Sequence, residues 1–248
     1  MGELNGKVAI VTGASKGIGA AIARAFAEAG AAVAVNYASS KSDADRVVGE
    51  IRKAGGKAFA AQADVSKSAE VKRLFAETTE KLGVPSILVN NAGVYSFGPL
   101  ESFTEEDFHR QFGTNVLGAI LATQEAVKHL NGSGGSVINI STIASTNPSP
   151  NTLVYSASKS AIDAITRELA IELAGRGIRV NATAPGMTET EGFAAAGLSA
   201  ESAKALGFTL PMGRLGQPDD VAKVAVFLAS DQSAWVTGER ISVSGGQR

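Results

Sequence analysis

The chain contains no cysteine and only two histidines, His109 and His129. Disulfides, thiolate metal centres and a cysteine nucleophile are excluded together, and two imidazoles are too few for a histidine-built metal site. Both histidines are expected at the surface. No run of about 18 apolar residues is present, so no segment reads as a membrane span. The stretch Met1–Lys7 lacks the apolar core of a secretory signal, which makes the cytoplasm the expected location. An excess of one charge is missing too: 23 basic residues against 24 acidic ones leave a net charge of −1 and no basic field for nucleic acid.

Short apolar runs alternate with helical patterns through all 248 residues, with no linker or repeat between them. That alternation predicts one α/β domain, a doubly wound parallel sheet of Rossmann type with helices on both faces. Strands are expected at Val8–Val11, Ala31–Asn36, Ala58–Gln62, Ser86–Asn90, Ser136–Ile140, Ile178–Ala184 and Arg240–Val243. Helices are expected at Ala20–Ala29, about Asp43–Ala54 with Gly55-Gly56 as its stop, Ser68–Leu82, roughly Glu105–Leu130, from Leu153 or Val154 onward, and Asp219–Ala229.

The first strand breaks into Thr12-Gly13-Ala14-Ser15-Lys16-Gly17-Ile18-Gly19 before its helix. Gly13 permits a tight turn, Gly17 lets a pyrophosphate approach the backbone, and Gly19 lets helix and strand pack closely. The free N–H groups at the helix start then face the phosphates. An acid at the end of the second strand would bind adenosine ribose hydroxyls and repel a 2′-phosphate. None is there: Asn36, Tyr37, Ser39, Ser40 and Lys41 offer an amide, hydroxyls and a cation, and Lys16 can reach the same phosphate. NADP(H) is therefore expected over NAD(H), although the two lysines also read as ordinary surface residues. Asp64-Val65 follows the third strand, where Asp64 either accepts from an adenine amino group or caps the next helix.

Asn90-Asn91-Ala92-Gly93 ends the fourth strand in small polar residues facing the same cleft, with Asn90 as a clamp on neighbouring backbone and Gly93 leaving room for the adenosine side. Asn115 lies in an apolar helical stretch, where it needs a partner or bonds locally. After the fifth strand come Ser141-Thr142 and then Tyr155-x3-Lys159, a phenol and an ammonium at i and i+4 on one helix face. A neighbouring cation favours the phenolate, which makes Tyr155 a credible acid/base. Pro185-Gly186 and Thr188 close the sixth strand, where they are expected against a nicotinamide carboxamide. The alanine-rich stretch 189–210, with Phe193, Leu198 and Phe208, reads as a substrate lid or as an ordinary surface helix pair.

Together these pieces resemble the short-chain dehydrogenase/reductase family from Gly6 to nearly Arg248. The resemblance implies that Tyr155 exchanges a proton with the substrate oxygen, and that Lys159 holds the nicotinamide ribose and lowers the tyrosine pKa. It implies that Asn115 holds a relay water, that Ser141 or Thr142 orients the carbonyl, and that no metal is needed. The family places its serine thirteen positions before the tyrosine, which here is Thr142. Ser86 and Ser244 depart from the usual acids. A small ketone or aldehyde and its alcohol lead as substrates, with a 3-oxoacyl carrier-protein thioester or a sugar or polyol behind. A dinucleotide sensor without turnover is the alternative of a different class. A homotetramer is implied by the resemblance alone.

Overall fold

The computed structural model describes residues 2–130, 134–195, 199, 201 and 209–247. Seven parallel strands form one sheet: β1 Val8–Val11, β2 Ala32–Tyr37, β3 Lys57–Gln62, β4 Ile87–Asn90, β5 Gly135–Ile140, β6 Ile178–Pro185 and β7 Arg240–Val243. Their order in space is β3-β2-β1-β4-β5-β6-β7. The chain starts in the middle, winds outward to β3, and returns to lay β4 on the other side of β1. That reversal opens a crevice beyond the carboxyl ends of β1 and β4, which is where doubly wound sheets bind ligands.

Both faces of the sheet are covered, which is why the strands read as unbroken apolar runs rather than alternating ones. Val11, Val33, Val35, Ile87 and Val89 share one face with Ile22 and Phe26 of α1 (Gly17–Glu28), Val47 and Ile51 of α2 (Lys41–Lys53), and Leu228. Ile10, Leu88, Val137 and Val180 share the other with Leu74 and Phe75 of α3 (Ser68–Leu82) and with Ala170 and Leu173. Each fully buried Leu, Ile or Phe contributes about 1.5–3 kcal/mol, so these two layers hold the crevice open between rigid walls.

The helix expected over Glu105–Leu130 is divided. α4 (Glu105–Phe112) passes into a π-helical turn at Gly113–Leu117 and then into α5 (Gly118–His129). The wide turn falls on Asn115, whose side chain leaves the helix to clasp Val94, a contact that periodicity does not reveal. α6 (Leu153–Ala174), the short α7 (Glu191–Ala195) and α8 (Pro218–Ala229) follow. Of the stretch read as a lid, 196–198, 200 and 202–208, including Leu198 and Phe208, lie outside the described residues. His129 departs from its surface assignment, since its ring stacks on Phe75 with centroids 5.5 Å apart.

Candidate active site

The glycine loop is held from two sides. Thr12 Oγ1 accepts from the Asn91 and Ala92 amides at 2.9 and 3.0 Å, and Asn91 Nδ2 donates to the Thr12 and Gly13 carbonyls at 2.9 Å each. This closeness explains the glycines. A Cβ on Gly19 would lie 2.4 Å from Asn91 Nδ2, and one on Gly13, already at φ +61°, would lie 2.8 Å from Ala92 Cα. Ser15 is buried, Ile18 packs partly on the core, and Lys16 is exposed. Helix α1 begins without a side-chain cap. Instead the Gly17 amide donates to Glu191 Oε2 at 2.9 Å, so a carboxylate from α7 occupies the anion-binding position. An open groove of about 330 Å³ adjoins it, lined by Gly17, Arg24, Glu189, Thr190, Glu191 and Pro218. A loop that already takes an anion on its amide, with glycines where side chains would clash, fits a dinucleotide pyrophosphate.

The end of β2 requires a correction. Asn36 does not face a ligand: it is 1% exposed, its Oδ1 accepts from the Gly13 amide at 3.1 Å, and its Nδ2 donates to the Ala61 and Ala63 carbonyls. Its amide ties β1, β2 and β3 together and has nothing left for a phosphate. The Tyr37 side chain is likewise buried in the core. Ser39 and Ser40 are accessible, while Lys41 pairs with Asp45 at 2.5 Å on the exposed face of α2. Asp64 bends into a turn, its Oδ1 accepting from Ser66 N and Oγ at 3.0 and 2.7 Å. Lys67, not Asp64, stands at the cap of α3, which removes the capping alternative for Asp64. Val65 is buried against Gly118, where a Cβ would lie 2.6 Å from Val65 Cγ2.

Asn90 does not clamp backbone. Its Nδ2 donates to Thr123 Oγ1 and Asn139 Oδ1, and Asn139 passes the chain on to Thr166, a buried polar relay between α5 and α6 along one face of the sheet. Gly93 faces the catalytic end of the crevice rather than an adenosine side, since a Cβ there would lie 3.4 Å from Asn115 Oδ1 and 3.5 Å from Lys159 Nζ. Asn115 accepts from Val94 N at 2.8 Å and donates to Val94 O and Ser158 Oγ. Both of its side-chain amide donors are therefore spent on protein partners.

Ser141 and Thr142 point apart, as consecutive residues of extended backbone must. Ser141 Oγ donates to the buried Asp163 at 2.5 Å, whereas Thr142 Oγ1 accepts from Ala144 N at 3.3 Å, donates to Pro185 O at 3.4 Å and lies beside the Tyr155 phenol. Burial pushes the Tyr155 pKa up, the Thr142 hydroxyl draws it back in part, and Tyr95 adds to the rise. Lys159 is buried with Nζ donating to Ile140 O at 2.7 Å. Burial lowers its pKa to about 8, against the pull of Asp163. The expected lowering of the phenol by Lys159 is thus not the dominant effect in this arrangement: desolvation acts on both groups and favours neutral phenol. Tyr95 and Phe97 stack at 5.0 Å, and both present edges to the Tyr155 ring at 6.1 and 5.7 Å.

Pro185 ends β6 with its carbonyl 3.4 Å from Thr142 Oγ1, and Thr188 Oγ1 donates to Gly186 O at 3.0 Å. Gln247, which no motif marks, reaches back to this turn. Its Oε1 accepts from Met187 N at 2.8 Å, and a Cβ on Gly186 would lie 2.3 Å from that oxygen. Sixty positions separate Gln247 from Met187, so spacing carries no trace of the contact. Asp163 was detectable in principle, being i+4 from Lys159. Among the described residues no cluster of side chains fit to hold a metal occurs, and no helix is long and apolar enough to cross a membrane.

Residues 13–248 match the family described as enoyl-(acyl carrier protein) reductase. An uncharacterized oxidoreductase of Methylorubrum extorquens is 55% identical over 249 residues, 100% of both chains. A 7α-hydroxysteroid dehydrogenase solved with NADH and 7-oxo glycochenodeoxycholic acid superposes with a TM-score of 0.93 at 38% identity, over 98% of this chain and 95% of that one. A short-chain dehydrogenase of Burkholderia cenocepacia solved with NADP has a TM-score of 0.91 at 36% identity, over 98% of each chain. The match extends over nearly the whole chain in sequence and in fold, and the chain belongs to the short-chain dehydrogenase/reductase family of oxidoreductases.

Proposed function

We propose that the protein reduces a ketone or aldehyde to an alcohol with NADPH, and runs the reverse reaction, with Tyr155 as proton donor and acceptor. The observation that carries this reading is the convergence of Thr142, Tyr155 and Lys159 at the carboxyl end of the sheet beside Gly93 and the glycine loop. When bound, the cofactor supplies the hydride. The glycine loop and the start of α1 would hold its pyrophosphate in place of the Glu191 carboxylate, and the Pro185–Thr188 turn with Asn91, Ala92 and Gly93 would border its other end.

The Thr142 hydroxyl donates to the substrate oxygen and orients it toward Tyr155. Neutral phenol then donates its proton, and the Lys159 ammonium, which would also hold the nicotinamide ribose, stabilises the phenolate that remains. Asn115 keeps Val94 and Ser158 in place around this centre. Preference for NADPH rests on the missing acid after β2 and on Ser39, Ser40, Lys16 and Lys41, since a charge-assisted contact to a phosphate contributes about 1.5–3 kcal/mol. The edges of Tyr95 and Phe97 against Tyr155 favour an apolar or ring ketone over a sugar.

Loss of absorbance at the reduced-nicotinamide band with cyclic ketones, acyl thioesters and sugars tests the reading. Turnover of a ketone with NADPH supports it; cofactor binding with no turnover of any class makes the protein a sensor. Leu117 of the π-helical turn, Ile120 on α5, Ile171 on α6 and the fully exposed Trp235 leave apolar surface that supports self-association into the tetramer the family resemblance implies. A monomer mass by light scattering would remove that part.

A further inference from the structure

Asp163 is 4% exposed and belongs to no step above. Its Oδ1 accepts from Ser141 Oγ at 2.5 Å, and its Oδ2 takes Ser145 Oγ at 2.5 Å and Arg240 Nε at 3.0 Å. Arg240 crosses from β7 to the same segment, donating through Nη2 to Thr142 O at 2.9 Å and through Nε to Ser145 Oγ at 3.2 Å. Ser145 Oγ also lies 2.8 Å from Thr142 O. The peptide of Thr142 is therefore gripped by one largely buried ion pair on the residue before it, on its own carbonyl and on the residue three after it. A buried ion pair is seldom retained for stability, because desolvation offsets its attraction. This one is spent on the one peptide whose side chain must face Tyr155.

We propose that Asp163 and Arg240 are positioning residues for the carbonyl reduction, their ion pair aiming Thr142 at Tyr155 while the carboxylate lies one helical turn from Lys159. The inference rests on the reading of Thr142, Tyr155 and Lys159 given above. Among the described residues, the charged or titratable groups that bear on Lys159 are Tyr155 and Asp163 on its own helix, and Arg240 of β7 through Asp163. Ile140, Gly93 and Asn115 face it with neutral atoms. The Asp163 carboxylate opposes the burial that drives Lys159 to about 8, so its removal lets the ammonium lose its proton at lower pH. Removing Arg240 leaves that carboxylate unneutralised, which acts in the opposite direction.

The test titrates Lys159 by NMR in protein carrying ¹³Cε-lysine, with Lys159→Met identifying the signal, and needs neither cofactor nor substrate. Asp163→Asn is expected to move the midpoint down by about one unit, since an opposite charge within a few ångströms shifts a pKa by at least that. Arg240→Gln is expected to leave it unchanged or raised. In NADPH-dependent reduction of acetophenone, both variants are expected to lose kcat about tenfold or more with little change in the KM for NADPH. A midpoint in Asp163→Asn equal to that of the parent, or kcat at the parent level in both variants, overturns the proposal. If Asp163→Asn does not fold, Arg240→Gln and Arg240→Lys still decide the positioning role, the lysine variant recovering part of the lost kcat. Absence of any turnover by the parent enzyme, with the Lys159 midpoint moving as expected, locates the failure in the proposed function rather than in the ion pair.

Discussion

The Glu191 carboxylate accepts the Gly17 amide at 2.9 Å, where the phosphates of a dinucleotide are expected. A negative side chain seated at an exposed helix start competes with any anionic ligand for the same N–H. Glu191→Gln should therefore tighten NADPH binding roughly two- to fivefold, the equivalent of about 0.5–1 kcal/mol at such a site. Fluorescence titration of NADPH measures it, and equal or weaker binding would show that the contact does not compete.

The divergence of Ser141 and Thr142 separates two outcomes. Thr142→Ala should lose most of kcat, and Thr142→Ser should keep it, because the hydroxyl facing Tyr155 survives. Ser141→Ala removes a donor from the buried Asp163 and should cost about 1–3 kcal/mol of stability while retaining most activity. Parallel kcat and thermal-unfolding measurements decide; a crippled but fully stable Ser141→Ala enzyme reverses the assignment.

Tyr155→Phe should lower kcat by about 10²–10⁴-fold with NADPH affinity nearly intact, the range of a lost acid/base group. In the parent enzyme, reduction needs the ammonium form of Lys159, whose pKa burial lowers to about 8. Reductive turnover should accordingly fall as pH rises through about 8, while the phenol, held above its ordinary value, stays protonated there. A rate that climbs across that interval would contradict these assignments.

Cofactor preference should yield to a charge at Ser39, not at Asn36. Ser39→Asp places a carboxylate at an accessible position after β2 and should reduce kcat/KM for NADPH at least about tenfold, the equivalent of 1.4 kcal/mol, with a smaller effect on NADH. Asn36→Asp puts an acceptor against the Ala61 and Ala63 carbonyls in a buried site and should lower the unfolding midpoint instead. A stable Asn36→Asp protein with switched preference would restore Asn36 as a ligand-facing residue.

Much of this protein is written locally in its sequence. The strands are short apolar runs buried on both faces, the glycine loop is a string of positions where a Cβ would collide, and Tyr155 and Lys159 share a face because four residues make about one helical turn. Such features depend on neighbours in the chain, so pattern suffices to find them. The partners of polar side chains do not. Asn36 looks like a ligand-facing amide until β1 and β3 close over it, Asn115 looks like part of a regular helix until Val94 draws it into a π-helical turn, and Gln247 looks like the end of a chain until it meets Met187. Whether Ser141 or Thr142 faces Tyr155 likewise rests on Asp163 and Arg240, 22 and 98 positions farther along the chain. A buried polar group must find a partner, and only the packing of distant segments decides which one.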